Sequence, residues 1–393
     1  MYPTIKQSFV SVERWLFPGG DCLVGMVLLF FASAFFLYPA TLWTMVFYVG
    51  VLPVTLYALT RGVRPAWHTP CFLLACVLIG WSMLTLVWGE DPGKGRVLKF
   101  ALGGVFTLGY LLSLSMALRR DPQLPRRIAD VFIVMGSLNA LVCSLIFLFF
   151  SSAERLTGWA ETRNSILGAL VIGVAYVFAF HRFLHEKTCR WLYGLASVLC
   201  LLFIALTQSR GPYIATLVAT VVLLATVPWR QRLTIARDMV LLVALGVAAR
   251  FAFYAATPAD IVGVIAERGT SHRLDIWSFT FDRIMEHPWI GQGPAAYLGM
   301  DEFAFPHNLY LSTLFYNGFI GFGLLLALLG LVGVWLFKKW RQDPDAPVLL
   351  ALFMLATCGG LTDLGQVAPG PAPIWIILWL PLSLIFARMH KSG

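Results

Sequence analysis

The sequence predicts an all-α polytopic membrane protein of about twelve transmembrane helices, and three observations carry that prediction. The 393 residues are 59% hydrophobic and only 12% charged, with a mean hydropathy of +0.78. A soluble globule carries about a quarter of its residues as charges. The apolar residues fall into runs close to the ~20 needed to cross a hydrocarbon core. Between the runs, basic residues collect in alternate connections.

Taken in order, the first apolar run is 22–37. It follows a 21-residue start holding Glu13, Arg14 and Pro18 and no small-residue cleavage site, so it reads as an uncleaved span. Spans at 42–60 and 70–88 are separated by "RGVR" (61–64), and those at 97–116 and 129–150 by "RRDPQLPRR" (119–127). Spans at 164–181 and 191–207 flank "HRFLHEKTCR" (181–190), and those at 212–228 and 238–254 flank "WRQRLTIAR" (229–237). The tenth, 309–337, is joined by "KKWR" (338–341) to 346–361, and the chain ends with 373–387 and "RMHK" (388–391). These basic connections and the N-terminus together hold 19 of the 29 Lys and Arg residues and 8 of the 20 Asp and Glu; the opposite side holds 10 and 12. The positive-inside rule therefore puts both termini in the cytoplasm. The net charge of +9 reports topology rather than a nucleic-acid partner. Residues 1–393 read as a single integral-membrane domain, with no coiled coil or soluble domain that calls for an oligomer.

Seven cysteines (Cys22, Cys71, Cys76, Cys143, Cys189, Cys200 and Cys358) show no metal-ligand spacing and lie mostly within spans, where a thiol acts as a small hydrophobe. No pair of histidines has zinc or metalloprotease spacing, so no metal is expected.

One connection departs from the pattern. Residues 255–308 form a loop of more than fifty residues on the outer side, and loops of that length are usually functional or disordered. Within it, Leu274, Trp277, Phe281 and Ile284 recur at helical spacing, with Ser271 placed as an N-cap and Pro288 as the stop. Short amphipathic helices there would cap the bundle, with Trp277, Trp289, Phe303 and Phe305 at headgroup level. Three other outer segments carry an arginine or an acid beside Gly or Pro: 151–165, 207–212 and 359–373.

Candidate chemistry concentrates in these segments. Arg210, in "QSRGPY", is tied by Gly211 and Pro212 to the end of a span, where a guanidinium can grip phosphate oxygens with two prongs; the same residue could simply snorkel to the headgroups. Arg273 lies one helical turn before Trp277, and Asp275 or Glu286 could neutralise it. His307 and Asn308, in "FPHNLY", stand just before the tenth span with Pro306 fixing the approach; imidazole suits proton transfer near neutral pH. His272 and His287 are poorer candidates. Asp363, in "GGLTDLGQ", could orient a catalytic group or accept from an arginine, and Arg163 with Asn164 opens the sixth span in a comparable way.

Arg273 with Trp277, His287-Pro288 with Gly291 and Gly293, then His307-Asn308 with Gly318 and Gly321 together resemble the signature region of the O-antigen ligase and polymerase superfamily. "QSRG" (208–211) is similar to that family's Ser-Arg-Gly. The resemblance implies a bacterial inner-membrane enzyme with a long periplasmic loop containing short amphipathic helices. It would transfer a glycan from undecaprenyl pyrophosphate to an acceptor at the periplasmic face. The ligase branch uses lipid A–core as acceptor, the polymerase branch joins carrier-linked repeat units, and a third branch glycosylates protein hydroxyls. The compact twelve-span plan favours ligase. Arg210 and Arg273 would hold the pyrophosphate without a metal, with Arg163 or Arg268 as substitutes for Arg273, and His307 would be the base. A non-enzymatic transporter would need ionisable groups near mid-span, and the first nine spans hold almost none.

Overall fold

A hydrophobic stretch near twenty residues long satisfies its own backbone only as a helix when no water is at hand, and the chain obeys that constraint throughout. The computed structural model describes residues 21–63, 65, 69–89, 93–151, 153–233, 235, 237, 273–300 and 305–392. Among these it is all-helical, with no β-sheet. Twelve helices run in order: α1 (Cys22–Ser33), α2 (Ala40–Thr60), α3 (Pro70–Val87), α4 (Lys94–Arg120), α5 (Leu124–Phe150), α6 (Ser165–His185), α7 (Arg190–Leu206), α8 (Arg210–Leu224), α9 (Arg273–Glu286), α10 (Leu309–Lys339), α11 (Ala346–Gly360) and α12 (Trp375–His390). Six of the described helices (α2 to α6 and α10) are long and apolar enough to cross a membrane. Five more are apolar but shorter, and α9 is the amphipathic exception. The expected span 238–254, the Ser271 cap, His272, Arg268 and Phe303 lie outside the described residues.

Helix α6 is the central post. Its apolar window is 78% buried, whereas the other long helices bury half or less. The remaining surface is apolar too: Val49, Phe149, Leu217 and Phe337 are each more than 60% exposed. Apolar side chains facing outward on most helices is the pattern expected of a lipid-embedded bundle. A buried aromatic cluster joins α12 to the first helices. Trp375 stacks on Tyr110, with ring centroids 4.5 Å apart, and meets Phe47 edge-on at 4.8 Å. Each of the three largest buried indoles donates its N–H: Trp43 to the Phe30 carbonyl, Trp375 to Thr107 and Trp379 to the Val367 carbonyl. A buried indole left without an acceptor would cost about 1–3 kcal/mol.

The longest helix is broken. Gly318 in α10 has φ +64° and ψ −170°, which interrupts the backbone ladder inside an apolar environment. The freed groups are taken by the segment just after α9. Gln292 and Gly293 donate their N–H groups to the Phe315 and Tyr316 carbonyls, each at 2.9 Å. In return, Phe319 N donates to the Pro288 carbonyl at 2.7 Å and Ile320 N to that of Trp289 at 3.3 Å. Trp81 Nε1 donates to the Asn317 carbonyl at 2.9 Å. The approach is so close that a Cβ on Gly291 would meet the Tyr316 and Asn317 backbone at 2.5 Å, and one on Gly318 the Trp289 carbonyl oxygen at 2.3 Å. The Gly and Pro residues of this stretch therefore build a backbone clamp.

Helix α9 also differs from expectation. Its packed face is Ile276, Thr280 and Ile284, set against Phe315 and Tyr316 of α10, with Trp277 half-buried beside it. Leu274 and Phe281, expected on that face, are exposed and align with Met285. Both faces carry apolar residues, so hydrophobic spacing alone cannot tell which one packs on protein.

The connection between α5 and α6 folds onto the end of α1. Asn139 of α5 donates to the Phe35 carbonyl at 2.6 Å and accepts from Thr162 at 2.9 Å, while Glu161 N donates to the Ala34 carbonyl. This buries the Glu161 side chain to 6% exposure with Oε1 unpartnered. Burial pushes its carboxyl from its ordinary 4.5 up to about 7, against the opposing pull of Arg163.

Two predictions follow from these contacts. Gly318→Ala should destabilise the protein by ~3 kcal/mol, because the clash is with backbone and the dihedral is unfavourable; Gly323→Ala, where a Cβ meets nothing within 4 Å, should be neutral or slightly stabilising. Thermal unfolding in one detergent compares the two. For Glu161 the folded state retains a proton that the unfolded chain releases between pH 4.5 and about 7. Stability should therefore fall as pH rises through that window and level off above it. Glu161→Gln should abolish this part of the decline, and parallel wild-type and variant profiles from pH 4.5 to 8 would refute the assignment.

Candidate active site

Three of the residues singled out in sequence meet where α10 begins and α11 ends. Asn308 is the N-cap of α10. Its Oδ1 accepts from Tyr310 N and Leu311 N at 2.9 and 3.1 Å, and its Nδ2 donates to the Leu361 carbonyl at 3.1 Å. One amide thus both starts a helix and ties it to its neighbour. His307, the residue before the cap, has φ +52°, a left-handed conformation that non-glycine residues rarely adopt. Strain of this kind persists where surrounding contacts over-determine it. Its Nδ1 lies 2.5 Å from Asp363 Oδ1. The Asp363 side chain is 4% exposed and that of His307 30%, so a buried carboxylate holds a ring that still reaches the surface. Phe305 covers the imidazole, with ring centroids 4.0 Å apart. The turn through Pro306 folds Phe305 back onto His307, a contact its sequence position did not announce.

Arg210 is the first residue of α8, and its neighbour Gly211 is wedged against Thr362: a Cβ there would meet the threonine hydroxyl at 2.2 Å. Thr362 adjoins Asp363, so the start of α8 packs directly beside the His307–Asp363 pair. Ser209, before α8, donates to the Ser165 carbonyl at 3.2 Å, which brings the N-terminus of α6 to the same place. That helix is capped by Asn164, whose Oδ1 accepts from Ile166 N and Leu167 N at 2.8 and 2.9 Å. The guanidinium of Arg163 lies exposed just before this cap and makes no ion pair or hydrogen bond with a described residue. Arg155, which sequence reasoning passed over, donates to Ser165 Oγ. Its signal was present, since it is a second arginine in the short outer segment that contains Arg163.

Arg273 opens α9 and is half-buried; no described residue pairs with it. Glu286, one of its anticipated partners, is instead bound to Arg283 at 2.6 Å. Trp277 belongs to the cluster between α9 and α10, and its buried Nε1 lacks an acceptor. The clamp after α9 reaches the loop bearing Asp363 through Gln366, whose side chain donates to the Pro294 carbonyl at 2.6 Å. His287 is exposed on the far side of that clamp. Among the described residues, no group of three or more His, Cys, Asp or Glu is placed to hold a metal ion.

In chemical terms the arrangement is an imidazole fixed by a buried carboxylate, at an end of the bundle where two helix N-termini and several arginines gather. Helix starts and guanidinia both favour negative charge.

Two comparisons bear on this site. Residues 195–326 match the O-antigen ligase family model, an interval that runs from within α7 into α10 and includes Arg210, Arg273, Trp277, His307 and Asn308. The chain is also 28% identical over 347 residues to an O-antigen ligase of Pseudomonas aeruginosa, covering 85% of this chain and 82% of that protein. Both similarities are to O-antigen ligases, and the helical membrane fold places the matched motif at one end of the bundle.

Proposed function

We propose that the protein is an O-antigen ligase of the bacterial inner membrane. It moves O-antigen polysaccharide from undecaprenyl pyrophosphate to a sugar hydroxyl of lipid A–core at the periplasmic face, completing lipopolysaccharide. The observation that carries this reading is the His307–Asp363 pair, 2.5 Å apart with the carboxylate buried, beside the arginine-led start of α8. In this reading the chain crosses the membrane twelve times with both termini cytoplasmic, and residues 255–308 form a periplasmic cap over the site.

The mechanism follows from the parts. Asp363 accepts a hydrogen bond from the His307 Nδ1–H, which fixes the tautomer and makes Nε2 the basic nitrogen. Nε2 removes the proton of the acceptor hydroxyl as that oxygen attacks the anomeric carbon, a contribution of about 10²–10⁴-fold. The bond to the lipid pyrophosphate breaks as the new glycosidic bond forms, and a single displacement inverts the anomeric centre. Negative charge growing on the pyrophosphate is met by Arg210 and Arg273, with Arg163 alongside. Permanent guanidinium charge does there what a divalent ion does in other phosphate chemistry, so the reaction proceeds without metal. Asn308 holds the histidine's backbone, and Trp277 offers a ring to a sugar or isoprenoid face. Where α9 turns its exposed Leu274, Phe281 and Met285 outward, those side chains suit the headgroup level of the bilayer.

The test is reconstitution with undecaprenyl-pyrophosphate-linked O-antigen and lipid A–core in EDTA, read on a gel. Glycan shifted onto lipid A–core is expected; longer carrier-linked glycan made without lipid A–core would replace this reading with a polymerase. His307→Ala should lower the rate by about 10²-fold or more, and unchanged transfer would sink its role as base. Asp363→Asn, which leaves shape but can reverse the tautomer, should lower kcat by about tenfold or more with KM little changed. Arg210→Lys should recover only part of the loss seen with Arg210→Ala, because an ammonium lacks the two-pronged fork.

A further inference from the structure

At the other end of the bundle, one α11 length away (fifteen residues, about 22 Å), lies a second feature that the transfer reaction does not use. A cavity of about 380 Å³ opens among the ends of α4, α6 and α12 and the starts of α5 and α11. Its walls divide by chemistry. Leu118, Phe178, Val348, Leu349 and Leu384 make an apolar side, while Arg126, Arg182, Glu186, Asp345 and Arg388 make a charged one.

The charged side is organised but not saturated. Arg182 is nearly buried and bridges Asp130 at 3.0 Å and Glu186 at 3.2 Å. Arg388 holds Asp343 with two bonds of 2.6 and 2.7 Å. Two groups are held more loosely. The side chain of Arg126 is 65% exposed, and one nitrogen reaches Glu186 at 2.9 Å. That of Asp345 is 58% exposed and meets Arg388 at 3.4 Å. Three guanidinia and two carboxylates line the cavity, and Asp130 and Asp343 engage Arg182 and Arg388 from outside the lining, so the network as a whole carries four carboxylates to three guanidinia. A simple anion gains little from such a set. A ligand that carries an anion and a cation on one headgroup can engage both loose partners at once.

We propose that this cavity binds a zwitterionic glycerophospholipid, its phosphate diester on Arg126, its ammonium on Asp345, and the first part of an acyl chain along Phe178, Val348 and Leu349. The cavity sits at the ends of membrane-crossing helices, the level at which a phospholipid headgroup meets its chains. The apolar wall argues against a free amino phosphate, which would leave that surface unused.

Full-length protein, stripped of co-purified lipid in mild detergent, would be titrated separately with phosphatidylethanolamine, phosphatidylglycerol and inorganic phosphate and followed by native mass spectrometry. Phosphatidylethanolamine should be retained about threefold more than phosphatidylglycerol, with inorganic phosphate neither retained nor displacing it. Arg126→Ala and Asp345→Asn should each lower that retention by about threefold, while Arg61→Ala, an exposed arginine at the end of α2, should not. Equal retention of the two lipids would overturn the proposal, as would displacement by phosphate or variants that behave like wild type. The lipid comparison on the unaltered protein decides the matter even if a variant fails to fold.

Discussion

A helix interrupted inside an apolar bundle leaves backbone groups that water cannot reach, and each must be answered by protein. In α10 that obligation is met by residues 288–293 and by the Trp81 indole. The same exchange ties the segment after α9 to α10. Two positive-φ glycines on one strand of the clamp and one at the break let the backbones come this close. The arrangement of this end of the bundle depends on this contact.

Around the clamp, the site is assembled from helix ends rather than from a loop of its own. The imidazole comes from the approach to α10 and the carboxylate from the exit of α11, with the arginine-led start of α8 and the start of α6 packed beside them. Helix starts supply positive potential, and short caps such as Asn164 and Asn308 fix their positions. The transfer proposed above, which must stabilise a pyrophosphate next to lipid, would be served by such a layout. Guanidinium charge is permanent, and the long apolar helices are left intact.

Much of this was legible because the governing signals are local. Spans declare themselves by length and hydropathy, and "PHN" before an apolar run announces a capped helix whose preceding residue is held in place. Asp363 stood out as an acid near a span end, but its pairing with His307 joins residues 56 apart and no spacing rule predicts it. Which face of α9 packs on protein was not legible, because periodicity reports contrast between apolar and polar, and both faces here carry apolar side chains. The contact of Phe305 with His307 was not legible for a related reason: an aromatic in a loop suits many neighbours. The glycines of 291–318 stood out only as parts of a motif, and the backbone-to-backbone contact they permit joins segments that no spacing rule pairs.

The outward stripe of Leu274, Phe281 and Met285, continued by the exposed Trp289, has a consequence for handling the protein. A detergent belt sized only to the long spans would leave this roof in water, where its apolar stripe would seek cover from another molecule. Extraction that preserves the site therefore calls for an amphiphile whose collar extends past the start of α10. Loss of activity on solubilisation would then begin at the roof, while the bundle beneath it stayed folded.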